Sequence, residues 1–385
     1  MKMKKTVIML LSVLLVSGMF VLSACGGGAD GSDDKSPGKT EDSGPAEDPG
    51  TADDSGNEGD ENIKDEPDSS QEELSYIIAD HSIVDDYEKI PQKYIDIVKT
   101  WLVDAAGESH SLAYRKGMED LAELNSKYPA EAFSGSIPAP QTNALRIGRH
   151  AVVGEGAFWT NQSAVDTIKG ILKTNHEEGN PIHVIFQAWC WDMTWKESAG
   201  DGGTNAVDPI YGVHWYGGSV GAPGTGNHIW GLDDGDSEIT GNSVSLQTYL
   251  NVIDEYNAYI ADYNKNTSGA LMPSKAIFTT GPADSGNEIG YQRFIKHEAI
   301  RAYVKQGGGR VLFDYGDILA YKDGETEPTT YTWPSPYDGK KYTFLIIAPE
   351  NYNRSTDSHI TPAGEIRIAK AMWWLLARMA GWDGK

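Results

Sequence analysis

The chain has 385 residues, with 56 Asp and Glu against 32 Lys and Arg, and its formal net charge at pH 7 is -24. This excess of negative charge argues against a partner held through nucleic-acid phosphates. The 11 Trp and 19 Tyr residues indicate a folded core, and two cysteines are too few for a disulfide framework. Residues 26–75 hold 17 acidic and 3 basic side chains, a net charge of -14, so over half of the acidity lies in one segment.

The N-terminus has the pattern of a secretory signal peptide. Three lysines within the first five residues precede an apolar run over 7–21, which is shorter than a membrane span needs. The run ends in Leu-Ser-Ala-Cys at 22–25, which resembles the lipobox of bacterial lipoproteins. The resemblance implies removal of residues 1–24 and lipidation of Cys25. Because two acyl chains anchor a protein stably, we expect the mature protein on the extracellular face of the cell membrane.

Residues 25–75 are predicted to be a disordered acidic tether that begins at the lipidated Cys25. Gly, Ser, Asp, Glu and Pro dominate this segment, so it cannot bury enough apolar surface to offset its ordering entropy. Mutual repulsion of its carboxylates keeps the segment extended. Residues 76–385 are then predicted to form one α/β domain with a Gly- and Trp-rich insertion at about 193–245.

Strand and helix patterns alternate along the folded part. A helix is predicted over 91–99, a strand over 101–106, a tight turn over 107–111 and a helix through Leu124. Strands at 182–186, 276–280 and 310–315 alternate with helices at 246–263 and 291–305, and a last helix begins at Pro362 and ends at Gly381. This alternation predicts a three-layer α/β/α fold with a central parallel sheet. Sites in such folds lie at the carboxyl ends of the strands.

Two parts of the sequence could supply a serine nucleophile and its base. Ser109 follows a strand at the start of a helix, where its hydroxyl is exposed and its N–H can stabilise an oxyanion. A serine in this position is also a common helix N-cap. His359 precedes the last helix, and Asp357 lies two positions before it, so one loop offers a base and an orienting carboxylate. These three residues form the predicted catalytic set.

The order of these parts resembles the SGNH, or GDSL-type, family of serine esterases and acylhydrolases over residues 95–380. Gly107-Glu108-Ser109 stands where the family has Gly-Asp-Ser, and Asp357 and His359 stand in its C-terminal block. The resemblance implies a flavodoxin-like strand order, Ser109 as nucleophile and His359 as general base, with no cofactor and no metal. Ser111 is a rival nucleophile because it offers a second hydroxyl within one turn.

The chain departs from the family pattern at the residues that would orient the imidazole and stabilise the oxyanion. One residue rather than two separates Asp357 from His359, so a backbone carbonyl or another carboxylate could orient the ring instead. The family's Gly-x-Asn-Asp block is replaced by 187–192, which leaves Gln187 or an indole N–H of Trp189 or Trp191 as donor.

The glycine donor of the family's second block is also ambiguous. Gly154 and Gly156 both fall in the corresponding stretch, Val-Gly-Glu-Gly-Ala-Phe. The oxyanion hole expected from the sequence combines the N–H groups of Ser109 and Gly154 with the side chain of Gln187.

Five of the 11 tryptophans lie between residues 189 and 230, among many glycines. Aromatic rings with polar atoms suit stacking on sugar rings, although such rings could also form a small core that holds a long loop in place. The residues that we expect to bind substrate are Trp189, Trp191, Asp192 and Trp215.

Other residues with chemical potential have simpler interpretations. The acidic run 233–238 lacks the spacing of an EF-hand loop and is expected to be a solvated turn. His214 and His228 have no matching Cys or His pair for zinc. Cys190 is expected to be a small buried apolar residue. Residues 296–298, Lys-His-Glu, are expected to be surface charges on a helix.

The leading hypothesis is a surface-anchored serine hydrolase that cleaves acyl esters, such as O-acetyl groups on carbohydrate. Its expected partners are an acylated carbohydrate or small ester and, through Cys25, the membrane. One alternative is a non-catalytic glycan-binding lipoprotein on a degenerate SGNH fold. Another is a glycoside hydrolase that uses Asp192 and Asp357 as its two carboxylates.

Overall fold

A parallel β-sheet with helices on both faces forms the centre of the protein. The computed structural model describes residues 75–107, 109–151, 158, 162–189, 230–231, 244–284, 286–335 and 339–385. The predicted signal peptide, nearly all of the predicted tether and most of the predicted insertion lie outside the described residues.

The strands and helices follow the predicted alternation. The strands are β1 (Tyr76–Ala79), β2 (Leu102–Gly107), β3 (Ala130–Ser134), β4 (Leu145–Arg149), β5 (Val184–Ala188), β6 (Trp230–Gly231), β7 (Val244–Ser245), β8 (Lys275–Ala276), β9 (Phe278–Thr279), β10 (Arg310–Phe313), β11 (Thr330–Pro334) and β12 (Lys341–Leu345). The α-helices are α1 (Gln92–Val98), α2 (Ser109–Leu124), α3 (Gln162–Glu177), α4 (Leu246–Asn266), α5 (Asn287–Val304), α6 (Tyr315–Ala320) and α7 (Pro362–Met379).

The central strands are all parallel. Five pair in the order β3-β4-β2-β5-β8, and three pair in the order β1-β10-β9. These two groups continue into one another, because β8 and β9 flank Ile277, whose N–H donates to the Ile185 carbonyl at 3.1 Å. Strands β6 and β7 form a short parallel pair, and β11 and β12 form an antiparallel hairpin that contacts α5.

Alternate side chains of the central strands enter opposite layers. Val103 and Ala105 of β2 pack in one cluster with residues of α1, α2 and α7. Leu102 and Ala106 pack in a second cluster with residues of α3, α4 and α5. Both faces of the sheet are therefore covered, which explains why β2, β5 and β10 are apolar at most positions. The prediction of a three-layer α/β/α fold is confirmed.

Helix α7 is buried around most of its circumference. Met372 and Trp373 have no exposed surface, and even the polar Glu365 is only 1 % exposed. The Thr361 hydroxyl caps the helix by accepting the Gly364 N–H at 3.2 Å. None of the helices in the described ranges combines the length and the apolar character that crossing a membrane requires.

The prediction that residues 296–298 are surface charges is wrong for two of them. Lys296 is fully buried and His297 is 3 % exposed, whereas Glu298 is exposed. His297 is held by the end of β9, because its Nε2 accepts the Gly281 N–H at 3.0 Å. Helix α5 is covered by the hairpin as well as by the sheet, and helical periodicity alone does not indicate burial on a second side.

A histidine at the opposite end of the sheet should make stability depend on pH. His183 Nδ1 accepts the Leu102 N–H at 3.2 Å, the Trp101 ring stacks on the imidazole, and burial lowers the pKa of His183 to about 4. As the pH falls, the unfolded chain therefore takes up a proton on His183 before the folded protein does. We expect the contribution of His183 to the free energy of unfolding to be fully present above about pH 6.5. It should fall by on the order of 2–3 kcal/mol as the pH drops toward 4.

Urea unfolding at several pH values checks this expectation. A His183→Asn variant keeps an acceptor for the Leu102 N–H but cannot titrate, so its pH dependence over this range should be shallower than that of the wild type. Identical slopes for the two proteins would contradict the assignment to His183.

Candidate active site

The junction between β2 and α2 lies where the chain changes direction across the sheet. Strand β2 pairs with β4 on one side and with β5 on the other. The chain adds β3 and β4 on the first side of β2 and then crosses to β5 on the second side, so the strand order reverses at β2. Such a switch point leaves a crevice in an open α/β sheet. Ser109, the first residue of α2, is half-buried near the carboxyl end of β2.

Gly107 is required by the geometry of the junction. Its φ is 126°, and an added Cβ would lie 2.3 Å from the Ala188 carbonyl oxygen of β5. Only glycine adopts this conformation without strain, so the strand can turn into α2 directly beside β5.

The two serines of the first turn differ in their surroundings. Ser111 is fully buried, and its hydroxyl donates to the Gly107 carbonyl at 3.2 Å. Ser109 is the more exposed of the two. The Ser111 hydroxyl is therefore bonded to the backbone carbonyl four residues earlier, and the geometry favours Ser109 as the hydroxyl that meets a substrate.

His359 lies on the loop before α7, and this loop reaches the first turn of α2. The ring centroids of His359 and His110 are 5.2 Å apart. His359 has a φ of 62°, the only positive value for a non-glycine residue in the described part of the chain. Its N–H donates to the Thr356 carbonyl at 3.0 Å, and its carbonyl accepts the Asn353 N–H at 3.1 Å. Strained backbone conformations of this kind concentrate at functional sites.

The imidazole of His359 is oriented by a backbone carbonyl. Its Nδ1 lies 3.1 Å from the Arg354 carbonyl oxygen. Asp357 is exposed, and the described contacts include no hydrogen bond from its carboxylate to His359. This geometry matches the alternative, raised by the one-residue spacing, in which a backbone carbonyl orients the ring.

A buried carboxylate holds the same loop. Ser358 donates its hydroxyl hydrogen to Glu365 Oε1 at 2.6 Å, and Lys116 Nζ of α2 lies 3.4 Å from Glu365 Oε2. Burial raises the pKa of the Glu365 carboxyl. Glu365 therefore ties the His359 loop to both α7 and α2.

A second polar group lies behind the loop. The buried Arg293 of α5 forms an ion pair with Asp284, and Tyr352 donates its hydroxyl hydrogen to Asp284 Oδ2 at 3.3 Å. Tyr352 also forms an antiparallel bridge with Ile360, the residue after His359. The loop is thus held on two sides by buried charged groups.

His110 is the second histidine near the β2–α2 junction, and it is 1 % exposed. Its Nδ1 lies 2.9 Å from the Tyr315 hydroxyl oxygen, while its Nε2 has no hydrogen-bond partner among the described residues. Burial, followed by the nearby His359 and Arg293, lowers the pKa of His110 well below its ordinary value. The ring is therefore a neutral imidazole at neutral pH.

Both described side chains that the sequence suggested as oxyanion donors are buried, and each donates a hydrogen bond to a backbone carbonyl. Gln187 is 1 % exposed, and its amide donates to the Ala188 carbonyl at 3.3 Å. Trp189 is 2 % exposed, and its indole N–H donates to the Thr279 carbonyl at 2.9 Å. Trp189 also packs edge-on against Tyr249 in the core, which favours the small-core interpretation for this ring. Glu108, Gly154, Gly156, Cys190, Trp191, Asp192 and Trp215 lie outside the described residues.

A buried aspartate holds the segment that leads to Gly154. Asp104 of β2 has no exposed surface, and its two carboxylate oxygens accept the N–H groups of His150 and Ala151, both at 2.9 Å. Burial raises the pKa of Asp104, and the two N–H bonds oppose this shift. The end of β4 is thereby fixed beside the end of β2.

One group of described residues has the donor types that metals prefer. Potential ligand atoms of Asp80, His81 and Asp317 lie within 4.8 Å of one another. Two of these atoms already bond to each other, since His81 Nδ1 lies 2.6 Å from Asp317 Oδ1, and the Asp80 carboxylate accepts the Ser82 N–H. They join the start of α6 to the turn after β1.

Sequence reasoning missed His110, Glu365 and the pair of Arg293 and Asp284. His110 stands inside the same Gly-Glu-Ser-His-Ser stretch that drew attention to Ser109, so its position was the available signal. Glu365 and Arg293 have the spacing of ordinary helix residues, so the sequence contains no signal for their role at the site. No protein-family model matches this chain, and no curated protein matches it.

Proposed function

We propose that this protein is a serine hydrolase that cleaves carboxylic esters, with Ser109 as nucleophile and His359 as general base. The observation that carries the proposal is the contact between the His359 loop and the first turn of α2, where Ser109 begins the helix. A hydroxyl at a helix N-terminus and an imidazole on a neighbouring loop are the two groups that acyl transfer needs.

In the proposed reaction, Ser109 Oγ attacks the ester carbonyl carbon while His359 accepts the hydroxyl proton. The bond from that carbon to the alcohol oxygen then breaks, and the proton passes from His359 to the leaving alcohol. Water attacks the acyl-enzyme with the same proton transfers and releases the acid. The Arg354 carbonyl, at 3.1 Å from Nδ1, would hold the imidazole and its positive form during these steps.

The strand order gives further support. The run β4-β2-β5-β8/β9-β10 is the flavodoxin-like order that the SGNH resemblance implies, with β3 and β1 added at the two edges. It places the carboxyl end of β2, and hence the start of α2 at Ser109, between the ends of β4 and β5.

We further propose that the ester is an O-acyl group on carbohydrate and that the enzyme is anchored outside the cell through Cys25. The sequence supports this with the tryptophans of the insertion and with the Leu-Ser-Ala-Cys pattern at 22–25.

A fluorophosphonate probe tests which serine reacts. We expect the probe to label the purified protein once, and peptide mapping should place the adduct on Ser109. A Ser111→Ala variant should still be labelled, because the Ser111 hydroxyl is buried against Gly107. Labelling that persists in Ser109→Ala and maps to Ser111 would reverse the assignment. Absence of labelling, combined with glycan binding, would favour the non-catalytic alternative.

A further inference from the structure

The side-chain donor of the oxyanion hole is the part of the proposed site that the family resemblance leaves open. A tetrahedral intermediate on Ser109 carries a negative oxygen, and preorganised donors at that oxygen supply much of the catalysis in acyl transfer. The two described side chains that could replace the missing asparagine, Gln187 and Trp189, are buried and donate to backbone carbonyls. Within the described part of the chain, this position is therefore open to another side chain, whereas Trp191 lies outside that part.

His110 has the required position. It follows Ser109 directly in the first turn of α2, and its ring lies within 5.2 Å of the His359 ring, measured between centroids. The ring is therefore adjacent in sequence to the proposed nucleophile and packs against the ring of the proposed general base.

His110 also has an unused hydrogen-bonding atom. Buried polar atoms are almost always hydrogen-bonded, and an exception needs an explanation. Nε2 of His110 lacks a partner among the described residues, although the side chain is only 1 % exposed. A donor kept ready for a transient oxyanion accounts for such an atom.

We propose that His110 is a further catalytic residue, whose Nε2–H donates a hydrogen bond to the oxyanion formed on Ser109. This inference rests on the hydrolase function proposed above. It requires the tautomer in which Nε2 carries the proton, so the Tyr315 hydroxyl donates to His110 Nδ1 across their 2.9 Å separation.

The neutral state of the ring is compatible with this role. Burial keeps His110 uncharged, and a neutral imidazole is able to polarise a carbonyl by donating one hydrogen bond. A charged ring at this position would instead repel the imidazolium that forms on His359.

Two amide variants separate the roles of the two ring nitrogens. In His110→Gln the amide nitrogen can take the place of Nε2, whereas in His110→Asn it takes the place of Nδ1 and meets only Tyr315. We expect the Asn variant to lose about 100-fold in kcat for p-nitrophenyl acetate with little change in KM, and the Gln variant to lose less than about tenfold. Thermal unfolding of both variants shows whether they are folded.

If His110 had a purely structural role, the Gln variant would lose more activity than the Asn variant, because Asn keeps the contact with Tyr315 and Gln loses it. Equal activities of the two variants, or higher activity of the Asn variant, would overturn the inference. Nitrogen NMR of the histidine rings in the wild-type protein gives a test that needs no variant, since a proton on Nδ1 of His110 would also overturn it. Unchanged turnover in Ser109→Ala would instead show that the hydrolase proposal fails, and the role of His110 with it.

Discussion

Ser109→Ala is expected to lower kcat for p-nitrophenyl acetate by at least ~10³-fold, and His359→Ala by a comparable factor. Removing the hydroxyl removes the atom that forms the acyl-enzyme, and removing the imidazole leaves the hydroxyl without a base. The two residues act in one step, so the double variant should be no slower than the slower single variant. Initial-rate kinetics on the purified protein, with a Tm for each variant, check both expectations.

Asp357→Ala serves as the contrasting variant in this series. Asp357 is exposed, and the Arg354 carbonyl rather than this carboxylate approaches His359 Nδ1, so we expect a loss of less than about tenfold. A loss as large as that of His359→Ala would mean that the loop rearranges and that the aspartate orients the ring. Unchanged turnover in both Ser109→Ala and His359→Ala would contradict the hydrolase proposal.

Gly107→Ala is expected to destabilise the protein by about 3 kcal/mol or more. The added Cβ would lie 2.3 Å from the Ala188 carbonyl oxygen, so the β2–β5 pairing or the turn into α2 must shift. The φ of 126° adds backbone strain that any side chain would suffer. Urea unfolding measures the change in the free energy of unfolding, and activity should fall as well because Ser109 follows this turn.

Gly170→Ala provides the matched control for the glycine substitution. Gly170 lies within α3, is exposed, and an added Cβ would meet no atom within 4 Å. The same chemical change should therefore stabilise the protein by about 0.5–1 kcal/mol through helix propensity. Similar destabilisation by the two substitutions would show that the contact with Ala188 is not the cause.

The sequence predicted the layers well because local patterns carry that information. Apolar runs such as 182–186 are covered on both faces, and the signals at Thr361 and Pro362 mark the start of α7. The alternation of such elements leaves few arrangements other than a parallel sheet between helices. Local patterns likewise predict Ser109 at a strand-to-helix turn, and the structure has Ser109 as the first residue of α2.

The side chains around the site could be predicted only in part. Ser109 and His359 were identified by their positions at the ends of elements, which are local features. The buried state of Lys296 and His297 was missed, because it depends on packing against elements distant in the sequence, such as the end of β9, where Gly281 donates its N–H to His297. The engagement of Trp189 by Thr279 depends likewise on which strands become neighbours.

What the sequence determined by itself is therefore the succession of elements, the acidic segment before residue 76 and the two loops that carry Ser109 and His359. These follow from periodicity, charge and turn residues, all of which act over a few neighbouring positions. What only the tertiary structure decided is which polar atoms are already bonded. Gln187 and Trp189 are satisfied by backbone carbonyls, whereas Nε2 of His110 is not. Hydrogen bonds between strands and helices distant in sequence depend on packing, and packing leaves no local signal in the chain.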